Sequence, residues 1–316
     1  MKFHLKIMLM LLLVFPMATL AGVLAFSPNT RDFNDAVSSL RGNLSDVKVS
    51  VQQLTDEYTV KQMAQAIQEQ KPEIVVLFDN KSIRLYQSYI KEFRPQNPPA
   101  VVALMALQLE QAIVGIPNVM GISYEIPAVT TASRLRNVWG TPIRKVGVVY
   151  RASMEPFYQE NKRFCKVENI DLVGQKVPDE SSDLTRDLKT GLQNLIWTDR
   201  VDAIWIINDN KLLSAKLIKE IWIPFMKENA KPGIVGVEML TQTKLGLAVT
   251  AILPDNVGLG AQAANLVYEI IDNGNKVDKL RIDLPLAVIQ VLNTTLSRKI
   301  GTLRKDAEKS VDRVVE

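Results

Sequence analysis

The sequence predicts an α/β protein of two similar lobes, each a parallel sheet covered by helices on both faces. Three observations predict it. Short apolar runs alternate with amphipathic stretches along most of the 316 residues, the order that gives parallel strands joined by crossover helices. The runs are continuous rather than alternating, as in "EIVVLF" and "AVVALM", so those strands are buried on both faces. The series also restarts near Gly121. Two series of roughly 100 residues each suggest two lobes rather than one sheet.

The elements follow in order. The opening "MKFHLKIMLMLLLVFPMATLAGVLAF" carries Lys2 and Lys6, then an apolar run, then small residues. That is the layout of a secretory signal, and Pro16 near the end of the run suits a signal better than a membrane anchor. Cleavage after Ala21 keeps "GVLAFS" as a first strand, whereas cleavage after Ala25 removes most of it. Residues 31–40 place Phe33, Ala36, Val37 and Leu40 on one helical face, "VKVSVQQL" is a strand, and residues 59–70 form a helix. "EIVVLFDN" is a buried strand, followed by a helix with Tyr86, Tyr89, Ile90 and Phe93 and by the strand "AVVALM".

In the second series "KVGVVYRAS", "DLVGQKV", "VDAIWIIND" and "GIVGVE" are strands. Helices are expected at residues 155–168, 183–196 and 212–225, the last broken by Pro224. A long helix over 257–273 ends at Gly274, the expected left-handed stop. The tail "RKDAEKSVDRVVE" reads as a solvated terminal helix.

Composition bounds the function. Apolar content of 47% with 23% charged residues fits a globular protein with a real core. The net charge of +4 includes Lys2 and Lys6, and no basic run carries interleaved aromatics, so nucleic-acid binding has no electrostatic footprint. His4 is the only histidine and lies in the signal, which excludes Ser-His-Asp catalysis and histidine-ligated zinc from a cleaved protein. Cys165 is the only cysteine, so no internal disulfide forms, and a core thiol is expected. No cofactor is expected.

Ligands of such sheets bind beyond the carboxyl ends of the strands. That rule nominates Ser27; Asp79, Asn80 and Ser82; Tyr150, Arg151 and Ser153; Asn208, Asp209 and Asn210; and Glu238. Asp79-Asn80, Asn208-Asp209-Asn210 and Asp255-Asn256 precede helices and serve as N-caps. Capping accounts for the last, and is compatible with ligand contact at the other two. The spacing is too sparse for a metal site, and Asp209 has no nucleophile or second carboxylate placed beside it. "GLGAQAAN" at residues 258–265 resembles a dinucleotide fingerprint only loosely, because it does not follow the first strand of a βαβ unit. Close helix packing is its better account. Trp205 and Trp222 fall on a buried strand and a helix face, so core packing is expected of them.

The succession "KPEIVVLFDN", "NVMGISYEIPAVTTASRLRNVW", "IRKVGVVYRASME", "RVDAIWIINDN", "LGLAVTAILPDNVGLGAQAANLVYEIIDNG" and "LPLAVIQVLNTTLSRKIG" resembles the ABC transporter substrate-binding proteins of the tryptophan/tyrosine-binding type, with a type I periplasmic-binding-protein fold. The likeness runs from about Val23 to Gly301. It implies two lobes joined by a crossover hinge, with a small ligand clamped between them. It also implies an ABC permease as partner, a periplasmic location and no enzymatic activity. Ser27 and Ser82 occupy the loops that would hold a ligand carboxylate, and Asp209 matches the aspartate that takes an amino group. Two stretches depart from the family pattern, "DNKS" after the third strand and "ALQLEQA" after the fourth.

The expected site is therefore Ser27, Asn80, Ser82, Tyr150, Ser153, Asn208, Asp209 and Glu238, in a monomer. The expected division is a signal at 1–21, lobe 1 from 22–121 with 250–278, and lobe 2 from 122–249 with 279–316. Two competitors stay open: a periplasmic sensor or interaction protein on the same fold, and an α/β enzyme working through Asp209 and Glu238.

Overall fold

The structure, a computed structural model, describes residues 22–316. The expected signal segment, 1–21, lies outside the described residues. Lobe 1 begins with β1 (Gly22–Pro28), α1 (Arg31–Asn43), β2 (Lys48–Leu54), α2 (Val60–Gln70) and β3 (Ile74–Phe78). It continues with α3 (Asn80–Phe93), β4 (Ala100–Leu104), α4 (Leu109–Ala112) and β5 (Val119–Ile122). Lobe 2 opens with α5 (Ala128–Val138), β6 (Lys145–Arg151), α6 (Glu155–Val167), β7 (Asp171–Val177) and α7 (Leu184–Gln193). Then come β8 (Ala203–Ile206), α8 (Ala215–Leu217), α9 (Ile223–Asn229), β9 (Gly233–Val235) and β10 (Thr250–Pro254). The chain returns to lobe 1 for α10 (Asn256–Asp272) and β11 (Arg281–Asp283), and ends in lobe 2 with β12 (Val288–Asn293), α11 (Thr294–Ile300) and β13 (Arg313–Val315).

The six-stranded sheet of lobe 1 has the order β11-β5-β4-β3-β1-β2 and is parallel throughout. The seven-stranded sheet of lobe 2 has the order β13-β12-β10-β9-β8-β6-β7, with β10 and β12 antiparallel. Successive strand residues point to opposite faces, which explains the continuous apolar runs. Val23, Ala25, Ile74 and Val76 pack under α1 and α10. Leu24, Phe26, Val75 and Leu77 pack under α2 and α3. Lobe 2 repeats this, with α5 and α6 over one face and α7, α8 and α9 over the other.

The chain crosses between lobes three times: after β5 through residues 123–127, at Asp255 between β10 and α10, and through residues 284–287 between β11 and β12. Backbone hydrogen bonds tie these connections together. The Ser123 N–H donates to the Asp283 carbonyl at 2.9 Å, and the Asp255 N–H to the Ala287 carbonyl at 3.0 Å. The buried Gln262 side chain of α10 donates to the Leu284 carbonyl at 3.0 Å and accepts from the Leu286 N–H at 3.2 Å.

Four expectations are corrected. Strand 250–254 belongs to the lobe 2 sheet and strand 281–283 to the lobe 1 sheet, the reverse of the expected division. The crossovers there are too short to change the local composition, and β11, "RID", carries no apolar run. The tail is not a helix: a 3-10 turn at Ala307–Ser310 leads into β13, where Val314 pairs with Leu292. Finally, Pro224 does not break its helix. A π-helical turn, Ile218–Trp222, joins α8 to α9 just before the proline, so the wider turn absorbs the missing N–H instead of ending the helix.

Cys165, Trp205 and Trp222 are core residues, as expected. Burial pushes the Cys165 thiol up to about 12, outweighing the opposing pull of Arg136. The thiolate is the reactive form, so the folded protein at pH 8 should leave dithiobis(nitrobenzoate) unreacted, with one equivalent released on unfolding in guanidinium. Rapid labelling of the native protein would contradict this burial.

Candidate ligand-binding cleft

The carboxyl ends of β1, β3 and β4 face those of β6, β8 and β9 across the crossovers. A cavity of about 590 Å³ lies between them, lined by Asp32, Met105 and Tyr124 of lobe 1 and by Asn208, Glu238 and Arg313 of lobe 2, among others. On the opposite face of the sheets a second chamber of about 430 Å³ runs between Leu109 and Val114 on one side and Met154, Phe157 and Phe164 on the other, over Ser123 and Glu125. A narrow space of about 20 Å³ lies beside both, sharing Glu125, Met154 and Phe157 with the second chamber and Asn208 and Gly236 with the first. The cleft is thus a trough of two chambers, each within the range of small-molecule sites.

Asn208 and Glu238 line this trough. The Asn208 Oδ1 is buried without a hydrogen-bond partner, and so is the Asn256 Oδ1, on the wall of the same chamber. Orphaned buried acceptors are rare and costly, so both call for a donor. Glu238 is held by Arg313 at 2.8 Å. Gly236 gives Asn208 its place: a Cβ there would lie 2.5 Å from the Asn208 amide nitrogen.

The side chains of the other expected residues are engaged within their own lobes, although the Ser153 carbonyl accepts from Gln111 of lobe 1 at 3.4 Å. Ser27 is buried, and its hydroxyl donates to the Pro28 carbonyl at 3.1 Å. The Asn80 side chain grips the loop after β4, donating to the Leu107 carbonyl at 2.8 Å and accepting from the Leu107 N–H at 2.9 Å. The buried Ser82 hydroxyl donates to the Asp79 carbonyl at 2.9 Å. Tyr150 donates to Glu155 at 2.8 Å and stacks on Tyr158 with centroids 4.4 Å apart. The Ser153 hydroxyl donates to Asp179.

Asp209 is a helix cap and half of an ion pair. One oxygen accepts the N–H groups of Lys211 (2.8 Å) and Leu212 (3.1 Å); the other receives the Arg151 guanidinium at 2.6 Å. Its side chain is 0% exposed, so the position expected for a ligand amino group holds Arg151. Arg151 also reaches Asp179 at 2.9 Å. The hydrogen bonds from Ser153, followed by the charges of Arg151 and Lys211, hold the Asp179 carboxyl below its ordinary range.

Lobe 1 shows a similar occupation. Asp79 sits at φ 116 and ψ 167, a backbone region that favours glycine, with its carboxylate accepting the Ser82 N–H at 2.7 Å. The amino end of α3 therefore carries a carboxylate of the protein itself. Burial raises the Asp79 carboxyl, against the lowering effect of Ser82 and Arg84. The Lys81 backbone N–H adds to that lowering, while its ammonium is turned away and held by the Thr55 and Asp56 carbonyls.

Sequence reading missed Tyr124, Glu125 and Arg313. The strand-end rule would have found Glu125 had "NVMGI" been taken as a strand, because Ser123-Tyr124-Glu125 follows it directly. Glu125 accepts the Gln108 N–H at 2.5 Å and the Ser123 hydroxyl at 3.4 Å. Burial raises its carboxyl above the usual range, those hydrogen bonds oppose the rise, and Glu110 of α4 adds to it. A raised folded pKa gives stability that is full below the unfolded value and is lost as pH rises through the folded one. Glu125→Gln should therefore gain thermal stability relative to the wild type as the pH rises above the ordinary glutamate value of about 4.3. Parallel melting curves above that value would show the carboxyl unperturbed.

Two lobes with mostly parallel sheets, facing across three crossovers and enclosing a cleft, are the fold also seen in solved ABC solute-binding proteins. The ABC domain in complex with L-Trp from Streptococcus pneumonia shares it, at 16% identity over 93% of this chain and 100% of that one, with a TM-score of 0.54. The ligand-free, open structure of a substrate binding protein with adhesive properties from Clostridium difficile reaches a TM-score of 0.65 at 13% identity, over 94% and 99% of the two chains. A conserved domain protein from Vibrio cholerae gives 0.57 at 16% identity, over 94% and 100%. At these identities the likeness is one of fold. No protein-family model matches the sequence, and no curated protein matches it.

Proposed function

We propose that the protein is an exported solute-binding component of an ABC-type importer, clamping a small ligand between its lobes by hinge closure and delivering it to a membrane permease as a monomer. Residues 1–21 serve as its signal in this reading, and no catalytic group is assigned. The observation that carries it is the trough between the carboxyl edges of the two sheets, with the orphaned acceptors of Asn208 and Asn256 on its wall. Preformed polar groups over a mobile hinge suit reversible binding. Asn208 and Glu238 are the proposed ligand contacts.

A thermal-shift screen against amino acids, amines, nucleosides, sugars and aromatic acids tests it. A ligand at a hundred times its dissociation constant stabilises by about 2.7 kcal/mol, and a true hit should also reduce the radius of gyration in solution scattering. The internal engagement of Asp79, Ser82 and Asp209 favours a second reading, a sensor or interaction protein that kept the fold without transport. A folded sample that shifts with no compound would move the assignment there.

A further inference from the structure

The second chamber has mainly apolar walls and charges of one sign. Leu109 of α4 and Val114 in the turn after it face Met154, Phe157 and Phe164 across it, with Ile282 and Leu284 lining it as well. Val114 and Leu284 are 70% and 49% exposed, so part of this apolar wall is open to solvent. The charged side chains lining the chamber are Glu110, Glu125 and Glu160, with no lysine or arginine among them. Glu160 meets Arg163 at 3.5 Å on the outer surface. Glu125 is held by an N–H and a hydroxyl and, among the described residues, by no cation. Across the narrow space the Asn208 Oδ1 is buried and unpartnered.

Taking the solute-binding reading as its basis, we infer that this chamber holds an amphipathic organic cation, an aromatic or alkyl amine without a carboxylate. Its ammonium lies against Glu125, donating towards Asn208, and its apolar body rests between Phe157, Phe164 and Leu109. Three features point the same way. Glu125 is half-buried, and a carboxylate drawn partly out of water gains from a partner of opposite charge, because the lowered local dielectric strengthens the pair. Aromatic faces attract an ammonium group as well as an apolar body. A ligand carboxylate, by contrast, would enter a chamber whose ionisable groups are all acidic, while the amino end of α3 in the same lobe is already capped by Asp79.

The test is calorimetric titration of the purified protein with phenethylamine, tryptamine and hexylamine, beside phenylalanine, tryptophan and phenylacetate. At least one amine should bind and phenylacetate should not. Glu125→Gln should weaken the amine about tenfold or more, the usual worth of a hydrogen bond to a charged group. Val114→Lys, on the exposed rim, should weaken it several-fold with the melting temperature unchanged, and it carries the test alone if Glu125→Gln does not fold. Amino acids binding as tightly as their amines would overturn the inference, as would amine affinity indifferent to both substitutions. The solute-binding reading would survive either result. Silence from these probes and from sugars, nucleosides and amino acids together would remove that reading as well.

Discussion

Arg151→Met is expected to destabilise the protein by about 3–5 kcal/mol, the cost of removing one partner from a buried ion pair. Methionine keeps most of the arginine volume, so the loss is electrostatic rather than a cavity. It leaves Asp209 with a side chain that is 0% exposed and no countercharge, and it frees Asp179 at the mouth of the same network. Asp209 cannot turn away to water, because its other oxygen caps the backbone at Lys211 and Leu212. Urea unfolding followed by circular dichroism measures the effect. A change under 1 kcal/mol would show that water reaches the carboxylate and that the pair is a surface contact. Arg151→Met combined with Asp209→Asn should recover part of the loss, since asparagine keeps a capping oxygen without the charge.

Gly260→Val should cost about 1–3 kcal/mol or more, the range for forcing atoms into a packed interior. Helix α10 crosses α1 at this glycine: a Cβ would lie 2.1 Å from the Ala36 carbonyl oxygen and 2.7 Å from the Ser39 Cβ. Backbone cannot swing aside as a side chain can, so the helices must separate and break the Ser39 hydroxyl bond to the Val257 carbonyl, 2.7 Å long. Gly260→Ala meets the same obstacle but regains about 1 kcal/mol of helix propensity, so its net loss is smaller. Melting curves that rank valine above glycine would refute the close approach. Because α10 starts directly after the Asp255 crossover, the valine variant should also weaken any ligand that needs both lobes.

The fold was legible wherever local pattern and burial agree. β1, β3 and β4 are buried on both faces, so their apolar runs stand out from any neighbour. The "GLGAQAAN" stretch packs closely on α1 at Gly260, as its place late in the chain predicts. What escaped was set by distant partners. β11 is a strand because β5 lies beside it, and β13 because β12 does; neither segment shows a strand period of its own. The site was half legible for the same reason. A strand end marks which residues reach the cleft edge, and Asn208 and Glu238 do line it. Whether a polar group there is free depends on what the fold brings to it. Arg151 was nominated alongside Asp209 as a neighbour at the edge, and nothing in the spacing showed that the two would neutralise each other.

The lacing of the three crossovers has a mechanical consequence. The connection through residues 284–287 lies between the other two and is joined to each through the backbone, to Ser123 by way of Asp283 and to Asp255 by way of Ala287. Three separate cords would let the lobes twist, slide or tilt independently. Laced edge to edge, they form a ribbon, stiff in its own plane and pliant across it. Such a ribbon permits one easy motion, like the leaf of a piano hinge. In the proposed hinge closure the lobes would open and shut about the ribbon's width, and each return would bring the same two walls of the trough back into register.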